Sequence, residues 1–144
     1  MPGCFRILQI LMVALPLSFL VGCSGQERIE FPKSSLEGKI TYRGKPVPYA
    51  LVIVTGGAQS SQGQADADGN YLVERVPSGP VKIGVNTDAG RGTMMGEVMA
   101  AAQSGAAAPN FVDVPPKFFD PSTSEIETNI QDAKGVNRFD IELK

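Results

Sequence analysis

Leu36-Glu37-Gly38-Lys39-Ile40-Thr41-Tyr42, residues 36–42, is the stretch whose reading decides the fold. Leu36, Ile40 and Tyr42 fall on one face, and Glu37, Lys39 and Thr41 on the other. A period of two marks a strand with one buried side. Outward from it, Arg43-Gly44-Lys45 supplies a turn, and Pro46-Val47-Pro48 leads into Ala50-Leu51-Val52-Ile53-Val54. That second run is apolar on both faces, as in a strand covered on two sides. Gly56 to Gln64 reads as a loop with a short edge strand, and Asp66-Ala67-Asp68-Gly69-Asn70 as a tight turn, since Asp, Asn and Gly tolerate positive φ. Tyr71, Val73 and Val76 lead to a second turn at Pro77-Ser78-Gly79-Pro80, after which Val81, Ile83 and Val85 alternate with Lys82, Gly84 and Asn86. Glu125 to Ile130 and Arg138 to Leu143 close the chain as strands, with Asp132 to Gly135 between them. Short strands at regular spacing, separated by turn residues, predict an all-β fold, an antiparallel β-sandwich.

Residues Thr87 to Asn110 break this pattern. Met95, Val98, Met99 and Ala102 alone show helical spacing, with Thr93 as the candidate cap, Glu97 in the first turn and Gly105 as the stop. The segment is long for a plain loop, so a short helix, a flexible flap or both is expected near 90–108. Met94, Met95 and Met99 either pack that helix onto the sandwich or offer an adaptable contact surface.

The other end of the chain sets where the protein works. Arg6 precedes an apolar run, Ile7 to Leu20, of about fourteen residues, too short to cross a bilayer comfortably as a helix. A charged start, a short apolar centre and small residues before a cut site make a secretory signal peptide. Leu20-Val21-Gly22-Cys23 resembles the lipobox of bacterial lipoproteins, which implies that Cys23 is the lipid attachment point and first residue of the mature chain. Two or more acyl chains anchor a protein stably, whereas one does so only reversibly. The expected organisation is a signal peptide over 1–22, a lipidated tether over 23–35 and a folded domain over 36–144. Ser24, rather than Asp, follows the Cys, which by the sorting habit of such lipoproteins points to the outer membrane or cell surface.

Loss of residues 1–22 removes Arg6 and no acid, so the formal charge moves from −2 to −3. A mildly acidic chain without a basic cluster argues against nucleic acid as a partner. Cys4 leaves with the signal peptide and Cys23 is capped by lipid, so no disulfide is expected. The chain has no His. Ser-His-Asp and Cys-His nucleophilic chemistry and the usual His or Cys zinc sites are therefore excluded. Carboxylate-pair chemistry stays formally open, but the acids sit in turns or on solvated strand faces. The protein is read as a non-enzyme with no cofactor.

The residues also carry a resemblance. Gly38-Lys39-Ile40-Thr41-Tyr42-Arg43-Gly44-Lys45-Pro46-Val47, with Ala50 and Val52, looks like the opening of carboxypeptidase regulatory-like domains, and Asp66-Ala67-Asp68-Gly69-Asn70-Tyr71 followed by Val76-Pro77-Ser78-Gly79 resembles their second signature. The resemblance implies a transthyretin-like (prealbumin-like, Ig-like) sandwich of about seven strands. Pro116-Lys117-Phe118, Asp120, Thr123-Ser124 and Asn137-Arg138-Phe139-Asp140 look like the small lipoproteins abundant in planctomycete bacteria. Those often carry Gly after the Thr-Ser pair, where this chain has Glu125. Transthyretin-like folds include hydroxyisourate hydrolases, but their His residues and C-terminal Tyr-Arg-Gly-Ser are absent here.

Three candidate sites follow. Asp66, Asp68 and Asn70 alternate like the first ligands of a calcium loop, but the twelfth position, which wants a bidentate Glu, is Pro77. A hairpin turn is the plainer reading, and these residues are weak metal candidates. Phe118 and Phe119 either form an exposed carbohydrate-stacking platform or pin a loop to the core, and Tyr42 and Tyr49 carry the same ambiguity. The functional expectation is a non-enzymatic, lipid-anchored envelope protein with a structural or protein-interaction role. Its partners would be the membrane through the lipid and an envelope protein or glycan. The alternative is a carbohydrate-binding module, for which three Tyr, seven Phe and no Trp are a thin supply.

Overall fold

A computed structural model describes residues 32–144; Cys23 and the leader lie outside the described residues. The described chain forms nine strands, one α-helix and one 3-10 turn. In chain order they are β1 (Ser35–Tyr42), β2 (Lys45–Pro46), β3 (Leu51–Gly56), β4 (Gln59–Gln64), β5 (Asn70–Glu74), β6 (Gly79–Asn86), α1 (Thr87–Ser104), the 3-10 turn Pro116–Phe118, β7 (Ile126–Ile130), β8 (Val136–Arg138) and β9 (Ile141–Leu143). The count exceeds the expected seven because β2 is only two residues long and because the last strand is interrupted at Phe139–Asp140. There the Asp140 carboxylate, at 2.9 Å, accepts the Lys39 N–H in place of a ladder carbonyl.

Two sheets face each other. In the first, β1 is central: β5 pairs with it antiparallel over Ser35–Lys39, and β2 folds back on Thr41 and Tyr42. The hairpin turn between β1 and β2 has positive φ at both Arg43 (51°) and Gly44 (77°), the geometry whose twist matches that of the flanking strands. On its other edge β1 carries β8 and β9, both parallel to it. This corrects the expectation of a purely antiparallel sandwich. The chain leaves β7 in the second sheet and crosses to the first, so it arrives beside β1 running in β1's own direction. The second sheet has the order β4-β3-β6-β7 and is antiparallel throughout.

The alternation read in the sequence becomes the core. Leu36 and Ile40 of β1, Val52 and Val54 of β3, Val73 of β5, Ile83 and Val85 of β6, and Ile141 and Leu143 of β9 are all buried in one cluster. Leu51 and Ile53 point the other way and are half-buried. The outer face of β6 is covered too, since Gly84 is buried beneath Phe119 and Pro121, and a Cβ there would meet the Phe119 carbonyl oxygen at 2.8 Å. The half-buried strand expected at 81–86 is thus covered on both faces at Gly84. Ser124 ties down the covering segment by donating to the Ile83 carbonyl. Glu125 follows at a φ of 59°, the left-handed geometry that Gly would hold without strain.

The sandwich takes hold of the chain at Ser34, inside the stretch assigned to the tether. Its carbonyl accepts the Val76 N–H at 3.0 Å, and the next residue, Ser35, donates to the Gly135 carbonyl at 3.0 Å. No helix among the described residues is long and apolar enough to cross a membrane.

Candidate functional site

The expected helix exists but begins earlier, so Thr93 is not its cap. Asn86 fills that role: its side-chain oxygen accepts the Ala89 N–H at 2.9 Å, and β6 runs into α1 with no loop between. Gly90, Gly92 and Gly96 weaken the helical signal of the first turns, which hid this start. The stop at Gly105 is as read, left-handed at φ 72° with its N–H on the Ala101 carbonyl. Thr87, Gly90, Met94 and Ala101 are buried, and their spacings of three, four and seven turn one face of α1 inward. Met94 therefore packs, whereas Met95 and Met99 are exposed at 64% and 63%.

Where α1 meets the sandwich, a shallow groove of about 500 Å³ opens beside the turn between β4 and β5. Tyr49 forms one wall. It sits at a φ of 57°, unusual for a bulky side chain, and three contacts hold it there. Its N–H donates to the Asp66 carbonyl at 3.2 Å, its carbonyl accepts from the Gln64 side-chain amide at 3.2 Å, and Gly90 leaves room for that carbonyl against the helix. The floor is Ala65, Tyr71 and Leu72, and Thr93 closes the helix side, its hydroxyl 3.4 Å from the Gln64 amide oxygen. Tyr71 is buried and donates to the Phe139 carbonyl at 2.6 Å; burial pushes its phenol well above the usual range. Partial burial, followed by the carboxylates of Glu97, Asp66 and Asp68, also raises the Tyr49 phenol.

Asp66 organises the turn beside the groove. One carboxylate oxygen accepts the N–H groups of Asp68 (2.9 Å) and Asn70 (2.8 Å), and the other accepts the Asn70 side-chain amide (3.0 Å). The Asn70 side-chain bond, with the backbone N–H bonds of Asn70 and Asp68, holds the Asp66 carboxyl below the usual range. The arrangement is that of an Asx turn. Among the described residues no group of three or more His, Cys, Asp or Glu is gathered for a metal ion.

The aromatic candidates divide. Phe118 is buried beside Val114 and pins its loop to the core, so it offers no exposed stacking face; Phe119 is half-buried over Gly84. Tyr42 lies half-buried under the Arg43 guanidinium, 5.0 Å from the ring centre. On the far flank of α1, Arg91 stacks 4.2 Å over Phe111 and pairs with Asp88 at 2.7 Å. Sequence reasoning assigned no role to Gln64 and left Tyr49 ambiguous. The one clue was Tyr49 itself, an aromatic between Pro48 and an apolar strand.

Comparison with known proteins adds a distant likeness. No family profile and no curated protein matches the chain. A crystal structure of a DUF3823 family protein from Parabacteroides merdae is similar over 78% of this chain, at 13% identity and a TM-score of 0.39. The chain corresponds to 46% of that protein's length. A likeness of that size assigns neither a family nor a function.

Proposed function

We propose that the protein is a lipid-anchored, non-catalytic domain of the bacterial envelope, held through Cys23 and presenting the groove beside Tyr49 to a partner. One observation carries this reading: the chain joins the sandwich at one end, and the groove opens at the other. Ser34 and Ser35 lie beside Val76 and Gly135, at the end where Gly56 packs on Pro77. Tyr49, Gln64 and Asn86 mark the opposite end, where β3 begins and where β4 and β6 finish. The six residues of β3 put roughly 17 Å between the two ends. A tether anchored at Cys23 would keep the first end toward the bilayer and the groove toward whatever lies beyond it.

The non-catalytic reading is supported by the chemistry present. The chain has no His, and three of the four groups with displaced titration among the described residues serve other ends, since Tyr71 fills the core and Asp66 and Asp120 accept the N–H groups of their own turns; the fourth, Tyr49, lines the groove. The transthyretin-like assignment and the kinship with planctomycete lipoproteins belong to the same proposal, resting on the signatures at 38–52 and 66–79 and on Glu125 occupying a left-handed position where those lipoproteins often carry Gly. An outer-membrane or surface location follows from Ser24. Phe118 is buried and offers a glycan no stacking face, so a glycan partner at the groove would stack on Tyr49.

The test is photo-crosslinking in living cells from Thr93, at the groove, and from Val136, at the tether end and 60% exposed. The expected result is a discrete adduct from Thr93 alone that is lost when Tyr49→Gly is added. Adducts of equal yield from both positions, or none from Thr93, would overturn the reading.

A further inference from the structure

Residues 32–144 contain no Cys, and their methionines are Met94, Met95 and Met99, all on α1. The sulfur of the folded domain is therefore gathered on one helix. Met95 and Met99 face solvent, whereas Met94 is buried at 7% exposure. A thioether takes one oxygen atom from a hydroperoxide and becomes a polar sulfoxide, which disrupts a buried apolar site.

The hold of the sandwich on α1 is thin. Of its four buried residues, Thr87, Gly90, Met94 and Ala101, Met94 alone has a large apolar side chain. Met94 and Ala101 lie outside the cluster that forms the core of the two sheets. The side-chain contact from Thr93 to Gln64 is long at 3.4 Å. Arg91 pairs within the helix, with Asp88 at 2.7 Å, and with Asp113 of the following segment at 3.9 Å. Thr87 buries a hydroxyl that has no hydrogen-bond partner among the described residues, a cost borne only while α1 is docked. Gly90, Gly92 and Gly96 lower helix propensity, so α1 depends on its packing to stay helical. Segments held in this way open at a lower free energy than global unfolding.

We propose that α1 is a peroxide-sensitive lid: it lifts from the sandwich and unwinds while the sheets stay folded, and oxidation of Met94 in the lifted state keeps it open. In that step the Met94 Sδ gains an oxygen atom and is oxidised to the sulfoxide. The hydroperoxide is reduced, its O–O bond breaking, and leaves as water or an alcohol. Returning the sulfoxide to the buried site would cost the desolvation of its oxygen. Lifting also takes Thr93 away from the groove beside Tyr49, so the groove is complete only in the closed, reduced state. The lid depends on neither the lipid anchor nor a partner.

The experiment treats the full chain in detergent with hydrogen peroxide at neutral pH, follows each methionine by tandem mass spectrometry and reads amide hydrogen exchange along the chain. Met95 and Met99 should oxidise first, and Met94 more slowly by about tenfold or more. Gly92→Ala and Gly96→Ala should each slow Met94 by about three- to fivefold and leave Met95 and Met99 unchanged. Once Met94 is oxidised, the amides of 91–104 should exchange faster by about tenfold or more, while those of β3 and β6 keep their protection. Met94→Leu, which conserves volume, should keep α1 protected even when Met95 and Met99 are oxidised. Met94 reacting as fast as its neighbours, or only as β3 and β6 lose protection, would overturn the proposal. So would an unchanged Met94 rate in both glycine variants, unchanged exchange of α1 after Met94 oxidation, or loss of α1 protection in oxidised Met94→Leu.

Discussion

Gly84 of β6 and the glycines on the outer flank of helix α1 are used in opposite ways. Gly84 sits in the middle of β6 with the backbone of Phe119 and Pro121 laid directly over it, so the sheet is built around the missing side chain. Gly92 and Gly96 sit on the exposed side of α1, where an added Cβ would meet nothing within 4 Å. Each costs helix stability of about 1 kcal/mol relative to Ala and returns no packing for it. The apolar residues divide the same way. Most of those in the sheets are buried in one cluster, Leu72 and Val136 being exposed, while Met95 and Met99 of α1 stand in solvent. The sheets hold the molecule together, and α1, beyond the inward face that carries Gly90 and Met94, is under little constraint from the fold.

The sharpest way to break this contrast is to empty the core. Ile83→Ala in β6 should cost about 4 kcal/mol by chemical denaturation, the transfer and cavity terms together. Next in size, Gly84→Ala should cost about 2 kcal/mol, since the covering segment has to lift. A cost below about 0.5 kcal/mol would show that the layer over β6 is loose.

Asp66→Asn should cost about 1 kcal/mol, because the turn would lose its charge-assisted bonds to Asp68 and Asn70. Its pH dependence has a definite sign. The folded state holds the Asp66 carboxyl below its ordinary value, so its contribution is full above about pH 4 and is lost as the pH falls through the lowered value. The gap between wild type and Asp66→Asn should therefore close in acid. A gap that widened would contradict the assigned role.

The smallest effect has the opposite direction. Gly92→Ala and Gly96→Ala should each raise stability, by about 0.5–1 kcal/mol, with Tm rising accordingly. Loss of stability in either would mean that the exposed flank of α1 is packed after all.

How legible these regions were differs for physical reasons. The alternation in β1 and in β6, the Asp66–Asn70 turn and the Gly105 stop could be read directly, because each depends on local periodicity or on one residue's backbone preference. The parallel placement of β8 and β9 beside β1 could not, since it is set by a crossing between sheets that leaves no local pattern. The start of α1 at Asn86 was masked by Gly90, which the fold needs for contact with Tyr49 rather than for the helix. The groove was the least legible part. It is built from positions 49, 64, 72 and 93, brought together by the pairing of β3 with β4 and β6 and by the packing of β4 against β5, and nothing in the sequence marks a tyrosine for a left-handed backbone.

Attachment at Cys23 is the claim on which the proposed function turns, because it would tether the sandwich to a membrane through the end away from the groove. The direct measurement is metabolic labelling with a clickable fatty acid, comparing wild type with Cys23→Ala and fractionating the membranes. Label on the wild type alone, in a membrane fraction, is the predicted result. An unlabelled wild-type protein in the soluble fraction would contradict it.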